Sequence, residues 1–348
     1  MTTQTIDEAK VQAFVFQAVG ELGATLNAAL VVIGDRLGLY KAMAGAGALT
    51  PRELADRTQT SERYVREWLN AQAAGGYVTY EDGRYTLPAE HAVALADEDS
   101  PVFLQGAFQL MVAAVQDQPK IAEAFKSGAG VGWHQHGHDL FEGCERFFRP
   151  GYRHNLVQSW IPALDGVEEK LRAGARVADV GCGHGASTTI MADAYPASGF
   201  IGFDYHDASI RAANEQAAGK ASFAVATAQD FPGADYDLVT TFDCLHDMGD
   251  PVSAARHILD ALAPDGTWLL VEPYAGDTVE ENLNAVGRVY YAVSTLVCTP
   301  ASLSQEVGLA LGAQAGEARL RDVAGAAGFT RFRRVAETPF NLVFEVRR

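Results

Sequence analysis

The stretch Val177-Ala178-Asp179-Val180-Gly181-Cys182-Gly183-His184-Gly185 decides the fold. An apolar run carries an acid near its end, and three glycines follow at alternate positions. That order predicts a strand entering a tight turn whose backbone comes very close to a ligand. Glycine suits such a turn because it lacks Cβ and takes positive φ at little cost. A dinucleotide fold needs G-x-G-x-x-G and no acid ahead of it. This chain reads G-x-G-x-G behind Asp179, and a carboxylate there suits a positively charged ligand.

The chain beyond Lys170 keeps a matching rhythm. Candidate strands run 176–180, 200–204, 222–227, 236–242, 267–272, 330–336 and 340–346, with helical stretches between the first five. Strand–helix alternation makes a parallel sheet covered on both faces, an α/β fold. Only Glu337-Thr338-Pro339 separates the last two strands, so they pair antiparallel as a hairpin. Ligands of open α/β sheets sit outside the carboxyl ends of the strands. The candidates are therefore Asp179 with Gly181 and Gly183, Asp204 with Tyr205, Gln229-Asp230-Phe231 after the third strand, and Asp243 with His246 after the fourth.

The Asp-x-Gly-x-Gly-x-Gly turn, followed by strand-end acids at Asp204 and Asp230, resembles the motifs of class I S-adenosylmethionine (SAM)-dependent methyltransferases. The resemblance covers about residues 165–348 and implies a seven-stranded Rossmann-like sheet. It implies SAM as cofactor. Asp179 and the glycines would meet its charged methionine part, Asp204 the ribose hydroxyls and Tyr205 the adenine face. Gln229, Asp230 and the Phe231 backbone would follow the adenine edge, and Asp243 would complete the contacts. Leu245-His246-Asp247 resembles the strand-four loop of small-molecule O-methyltransferases. In that family the histidine is the general base on a hydroxyl, oriented by an acid ending the fifth strand, here Glu272. A phenol of pKa about 10 needs a proton acceptor, and a neutral histidine of pKa about 6.5 serves. The family's Trp after His-Asp is replaced by Met248. His246 is thus either the base or a loop histidine that binds or underlies the cofactor. The N/D-P-P-Y/F motif of nucleobase amino-methyltransferases is absent, which argues against a nucleic-acid substrate.

Residues 1–96 form a separate module. Thr50-Pro51-Arg52-Glu53 is a capping box with Pro at the first helical position. A second helix starts near Ser61 and stops at Gly75-Gly76, and Asp82-Gly83 turns a hairpin. Helix, helix, hairpin is a winged helix. The whole chain resembles a bacterial group of small-molecule methyltransferases with such a domain, on Phe242–Pro251 and Leu303-Ser304-Gln305-Glu306. That resemblance implies homodimers or higher homo-oligomers. DNA binding is the competing use of a winged helix. Acids outnumber bases in this module, and Glu62 and Glu67 flank Arg63 and Arg66 on the would-be reading helix, a poor footprint for phosphate. Residues 97–169 read as a helical linker or cap, and 170–348 as the SAM-binding domain.

A net charge of −17 disfavours broad contact with polyanions. Four cysteines without CxxC spacing fit a reduced, cytoplasmic setting. No signal peptide is expected, and the longest apolar run, Ala28 to Ile33, is too short for a membrane span. Trp133-His134-Gln135-His136-Gly137-His138-Asp139 places three alternate histidines on one side of an extended segment. That spacing matches no standard metal motif, so no metal is assigned and a loop over the cofactor cleft is expected. Arg146, Arg149, Tyr152 and Arg153 are candidates for an anionic group. Tyr290 and Tyr291 line an acceptor pocket or a core, and 302–306 opens a helix. The leading expectation is methyl transfer to a small-molecule acceptor, at oxygen with His246 as base. A SAM-responsive regulator, a C- or N-methyltransferase working by proximity, and an NAD oxidoreductase are the alternatives.

Overall fold

A computed structural model describes residues 6–217 and 219–348. The chain packs as two compact units, and the division falls after Val112. The first unit begins with the long helix α1 (Glu8–Arg36), then α2 (Leu39–Met43), α3 (Pro51–Thr58) and α4 (Glu62–Ala74). A hairpin of β1 (Thr79–Glu81) and β2 (Arg84–Thr86) follows, with α5 (Ala89–Leu95), and the division falls within α6 (Gln105–Gln116). The capping box at Thr50 forms: its hydroxyl takes the Glu53 N–H at 3.2 Å, and Glu53 takes the Thr50 N–H at 2.7 Å. Tyr40, Leu54, Leu69 and Trp68 are buried between these helices.

Among the described residues, α1 is the one helix long and apolar enough by length and composition to cross a membrane. This departs from the sequence expectation, because short apolar runs merge once the intervening Gly, Ala, Thr and Asn residues are counted. Its C-terminal third belongs to the domain core. Val31 and Val32 are buried, and Trp68 Nε1 donates to the Leu30 carbonyl at 2.9 Å.

The second unit holds α7 (Gln118–Ser127), α8 (His138–Asn155), α9 (Val167–Ala173), β3 (Arg176–Val180), α10 (Ala186–Ala194), β4 (Gly199–Asp204), α11 (Asp207–Gln216), β5 (Ser222–Val225) and β6 (Tyr236–Phe242). It continues through α12 (Pro251–Ala261), β7 (Leu262–Pro273), α13 (Ala285–Val293), α14 (Thr299–Leu303), α15 (Gly316–Ala327), β8 (Arg331–Glu337) and β9 (Asn341–Arg347). The sheet order is β5-β4-β3-β6-β7-β9-β8. The first five strands in this order are parallel, and β9 pairs antiparallel with both β7 and β8. The seven strands and the closing hairpin read from the sequence are all present.

Side chains alternate across the sheet with a period of two. Val177, Leu238, Leu269 and Val343 face one core, while their neighbours Ala178, Val239, Leu270 and Phe344 face the other. Both faces are therefore dry, as parallel strands require. Each fully buried Leu, Val or Phe contributes roughly 1.5–3 kcal/mol. The strand order reverses between β3 and β6, which opens a crevice at their carboxyl ends.

One local expectation fails, and one alternative is ruled out. Residues 302–306 close a helix instead of opening one, because α14 already starts at Thr299, with Pro300 in its first turn, and Ser302 lies within it. The histidine cluster is not extended. Gln135 Oε1 takes the Gly132 N–H at 2.7 Å and winds Trp133–Gln135 into a 3-10 turn, after which His138 starts α8.

Candidate active site

The glycine turn joins β3 to α10. Gly181 (φ 76°) lies against the next strand end, where a Cβ would come within 2.6 Å of Cys244 Sγ. Gly185 (φ 79°) lies as close to the Phe223 ring. A Cβ on Gly183 would meet nothing within 4 Å, so the outer side of the turn is open. Beneath the turn sits Asp179, only 1% exposed. Its Oδ2 accepts from the Ser187 and Thr188 hydroxyls, both at 2.6 Å, and its Oδ1 from Thr240 at 2.9 Å. Burial raises its pKa, and these three donors pull it back. Asp179 thus ties β3, β6 and the start of α10 together, with its carboxylate largely engaged inside the protein.

Asp204 ends β4 and accepts the Gly183 N–H at 3.0 Å and the His206 N–H at 2.8 Å. Burial raises its pKa against those two hydrogen bonds. Tyr205 is 43% exposed beside it. After β5, Asp230 is exposed and accepts the Thr227 N–H and hydroxyl at 3.0 and 2.6 Å. Phe231 is buried against Phe203, and its carbonyl pairs with His257 Nε2 at 2.8 Å. The Phe231 ring is packed in the core and does not face a ligand. Gln229 Nε2 reaches the Asp250 carbonyl at 3.5 Å.

Asp243 ends β6 with φ 50°, an uncommon left-handed conformation for a residue with a side chain. It accepts from Asn341 Nδ2 at 2.8 Å and Tyr152 hydroxyl at 3.3 Å. Burial, helped by the nearby Glu272, holds its pKa well above the carboxylate range. Of the candidates on α8, Tyr152 reaches the strand-end acid Asp243, and Arg149 pairs with Glu145 at 2.9 Å.

Next comes the loop Leu245–Asp247. The structure brings His246 and Glu272 together, with His246 Nδ1 2.6 Å from Glu272 Oε2. The second Glu272 oxygen takes the Leu245 N–H at 2.9 Å. Both side chains are buried. His246 Nε2 faces the Asp247 carboxylate at 3.2 Å. Burial alone would lower the imidazole pKa, but the Asp247 and Glu272 carboxylates outweigh it and hold it well above the ordinary value. Cys298, ending a π-helical turn after α13, brings its thiol into the same group; one ligand atom each from His246, Asp247 and Cys298 lie within 4.8 Å of one another.

Residues 171–313 match the family model described as a methyltransferase domain, and 25–97 match the Rv2258c-like winged HTH domain. The chain joins an Rv2258c-like winged helix to a methyltransferase domain. A curated relative, the 27-O-demethylrifamycin SV methyltransferase of Amycolatopsis mediterranei (strain S699), is 32% identical over 139 residues. That match spans 36% of this chain and about half, 51%, of the relative. Among solved structures, the mitomycin 7-O-methyltransferase MmcR shares the fold (TM-score 0.71, 19% identity, 98% of this chain, 100% of MmcR). So does human N-acetylserotonin methyltransferase in complex with SAM (TM-score 0.67, 16% identity, 100% and 99% covered).

Several residues of the methyltransferase domain's site escaped the sequence. Thr240 meets Asp179 only through the β3–β6 register, in which the two are direct partners. Asn341 reaches Asp243 from the C-terminal hairpin. Ser187 and Thr188 follow the glycine turn directly, and hydroxyls at the start of that helix were the one legible signal. Tyr290 is buried and donates to the Phe340 carbonyl at 2.8 Å, while Tyr291 is partly exposed.

Proposed function

We propose that this chain is a SAM-dependent methyltransferase acting at oxygen on a small molecule, with His246 as general base. One observation carries it: acids Asp204, Asp179, Asp243 and Glu272 end the adjacent strands β4, β3, β6 and β7, and His246 is held to the last at 2.6 Å. SAM is cationic at its amine and sulfur, and when bound it supplies a methyl group already attached to a good leaving group. The site fits such a group. The turn is open above Gly183, and the surrounding carboxylates are raised in pKa by burial, so a cation offsets a real cost. Gly181, Gly183 and Asp204 would hold its amino-acid and ribose parts, with Asp179 fixing the turn from below. Tyr205, Gln229, Asp230 and the Phe231 backbone would hold the adenine, and Asp243 would close the inner wall.

The protein must align acceptor and donor and keep water out. His246 donates Nδ1–H to Glu272, which leaves Nε2 as the lone pair that takes a proton from an acceptor hydroxyl. Glu272 and Asp247 then stabilise the imidazolium. The rifamycin and mitomycin relatives, named for methyl transfer at oxygen, support oxygen over carbon or nitrogen. Calorimetric titration with SAM or S-adenosylhomocysteine tests the proposal, and no binding at millimolar ligand defeats it.

The winged helix serves assembly rather than DNA. On α4, Arg63 pairs with Glu67 at 2.6 Å and Arg66 with Glu62 at 2.7 Å, so the would-be reading helix spends its cations on itself. The exposed apolar stripe of α1 pairs with a second copy of the chain. The four cysteines are free thiols, in keeping with the cytoplasm.

A further inference from the structure

His136 forms a second histidine–carboxylate pair that the glycine turn and its neighbours do not use. Its side chain is fully buried, and Nδ1 lies 2.6 Å from Asp117 Oδ2. The other Asp117 oxygen takes Lys120 Nζ at 2.6 Å. With Nδ1–H given to Asp117, a neutral His136 keeps its Nε2 lone pair as an acceptor. That Nε2 is buried and has no hydrogen-bond partner. Buried polar atoms are ordinarily paired, so a bare acceptor calls for a donor.

His136 and the His246 loop are joined through α14. The segment leading into His136 is pressed onto α14: Val131 N–H donates to the Pro300 carbonyl at 3.0 Å, and a Cβ on Gly130 would lie 2.0 Å from Ser304 N. The other anchor of α14 is the His246 loop, through Ser302 Oγ to the Met248 carbonyl at 2.8 Å and Gln305 Nε2 to the Asp247 carbonyl at 2.9 Å. Burial raises the Asp247 carboxyl, and His246 and the Cys298 thiol pull it down.

We infer that His136, held by Asp117, is a positioning residue for the methyl acceptor, and that the acceptor carries a second hydroxyl besides the one methylated. The inference rests on the SAM-dependent function proposed above. His246 takes the proton of the reacting hydroxyl, and the second hydroxyl donates to His136 Nε2. The substrate class is a small di- or polyhydroxylated molecule. No bond changes at His136, so its effect falls on acceptor binding.

The test uses the full chain saturated with S-adenosylhomocysteine and titrated calorimetrically with naphthalenediol isomers and with 2-naphthol. At least one diol is expected to bind about five- to tenfold more tightly than the mono-ol. His136→Phe is expected to bring that ratio toward one, and His136→Gln, which retains an acceptor, to restore part of it. Unchanged S-adenosylhomocysteine affinity checks that the variants fold. No diol preference in the wild type, as when water satisfies Nε2, overturns the inference whether or not the variants fold. A preference that survives His136→Phe overturns it as well. Failure of the wild type to bind S-adenosylhomocysteine instead overturns the function beneath it.

Discussion

His246 gathers the sharpest expectations because its two nitrogens face different tasks. Replacing it with Ala removes the proton acceptor but none of the residues proposed to hold SAM. His246→Ala should lower kcat by roughly 10²–10⁴-fold with S-adenosylhomocysteine affinity unchanged, as read by labelled-methyl transfer and calorimetry. Turnover that survives would leave alignment alone as the mechanism. The pH profile follows from the neighbouring carboxylates. They raise the His246 pKa over the opposing effect of burial, and only the neutral imidazole accepts a proton. The rate should therefore fall as pH drops through a value above about 6.5, the ordinary one for histidine. Glu272→Gln removes one raising charge, so the acidic limb should move to lower pH; a limb that stays put belongs to another group. The nearby Asp247 and Cys298 make a chelating set with His246 on geometry. A metal on Nε2 would occupy the lone pair the base needs, so prolonged dialysis against EDTA should leave methyl transfer intact, and a loss restored by zinc would reassign the site.

The glycine turn was legible because its demands are local: positive φ and close approach leave glycine little competition. The strands were legible for a related reason. Strands buried on both faces read as continuous apolar runs, and β3 and β6 match their expected limits residue for residue. The cradle under the turn was not legible. Thr240 lies 61 residues from Asp179 and meets it only after β3 and β6 choose their register. The histidine segment was expected as a loop, and it is not the extended strand that a metal reading of its alternation would need: one Gln135 side chain closing on the Gly132 N–H bends it into a turn. What Asp179 does in this cradle sets a further expectation. Asp179→Asn puts an NH₂ group against hydroxyls that now donate, at a cost of about 1–3 kcal/mol. For a domain of this size that is roughly 2–4 °C in Tm per kcal/mol. Thermal unfolding should show the drop, together with weaker S-adenosylhomocysteine binding. An unchanged Tm would mean that the three hydroxyls rotate to suit the amide, and that the carboxylate has no holding role.

A net charge of −17 and the self-paired arginines of α4 make this chain a poor ligand for nucleic acid, and assembly is the use we propose for its winged helix. The stripe proposed to drive assembly lies on α1. Val11, Val15, Leu22, Leu26 and Ile33 recur at steps of four and seven, which confines them to one side of a helix. All are exposed, Leu22 and Leu26 by about two thirds (67% and 71%). A membrane would suit apolarity, but Glu21 places a charge midway along the helix and its last third is built into the winged-helix core. A second copy offers an identical stripe, and a two-fold axis lets each cover the other. Withdrawing a Leu from water contributes roughly 1.5–3 kcal/mol, and a two-fold pair counts each position twice. Leu22→Glu together with Leu26→Glu should therefore weaken the dimer by at least about a hundredfold. Sedimentation velocity at micromolar protein should then show a dimer for the wild type and a monomer for the double variant. A wild type that sediments as a monomer and floats with lipid vesicles would assign the stripe to a membrane surface instead.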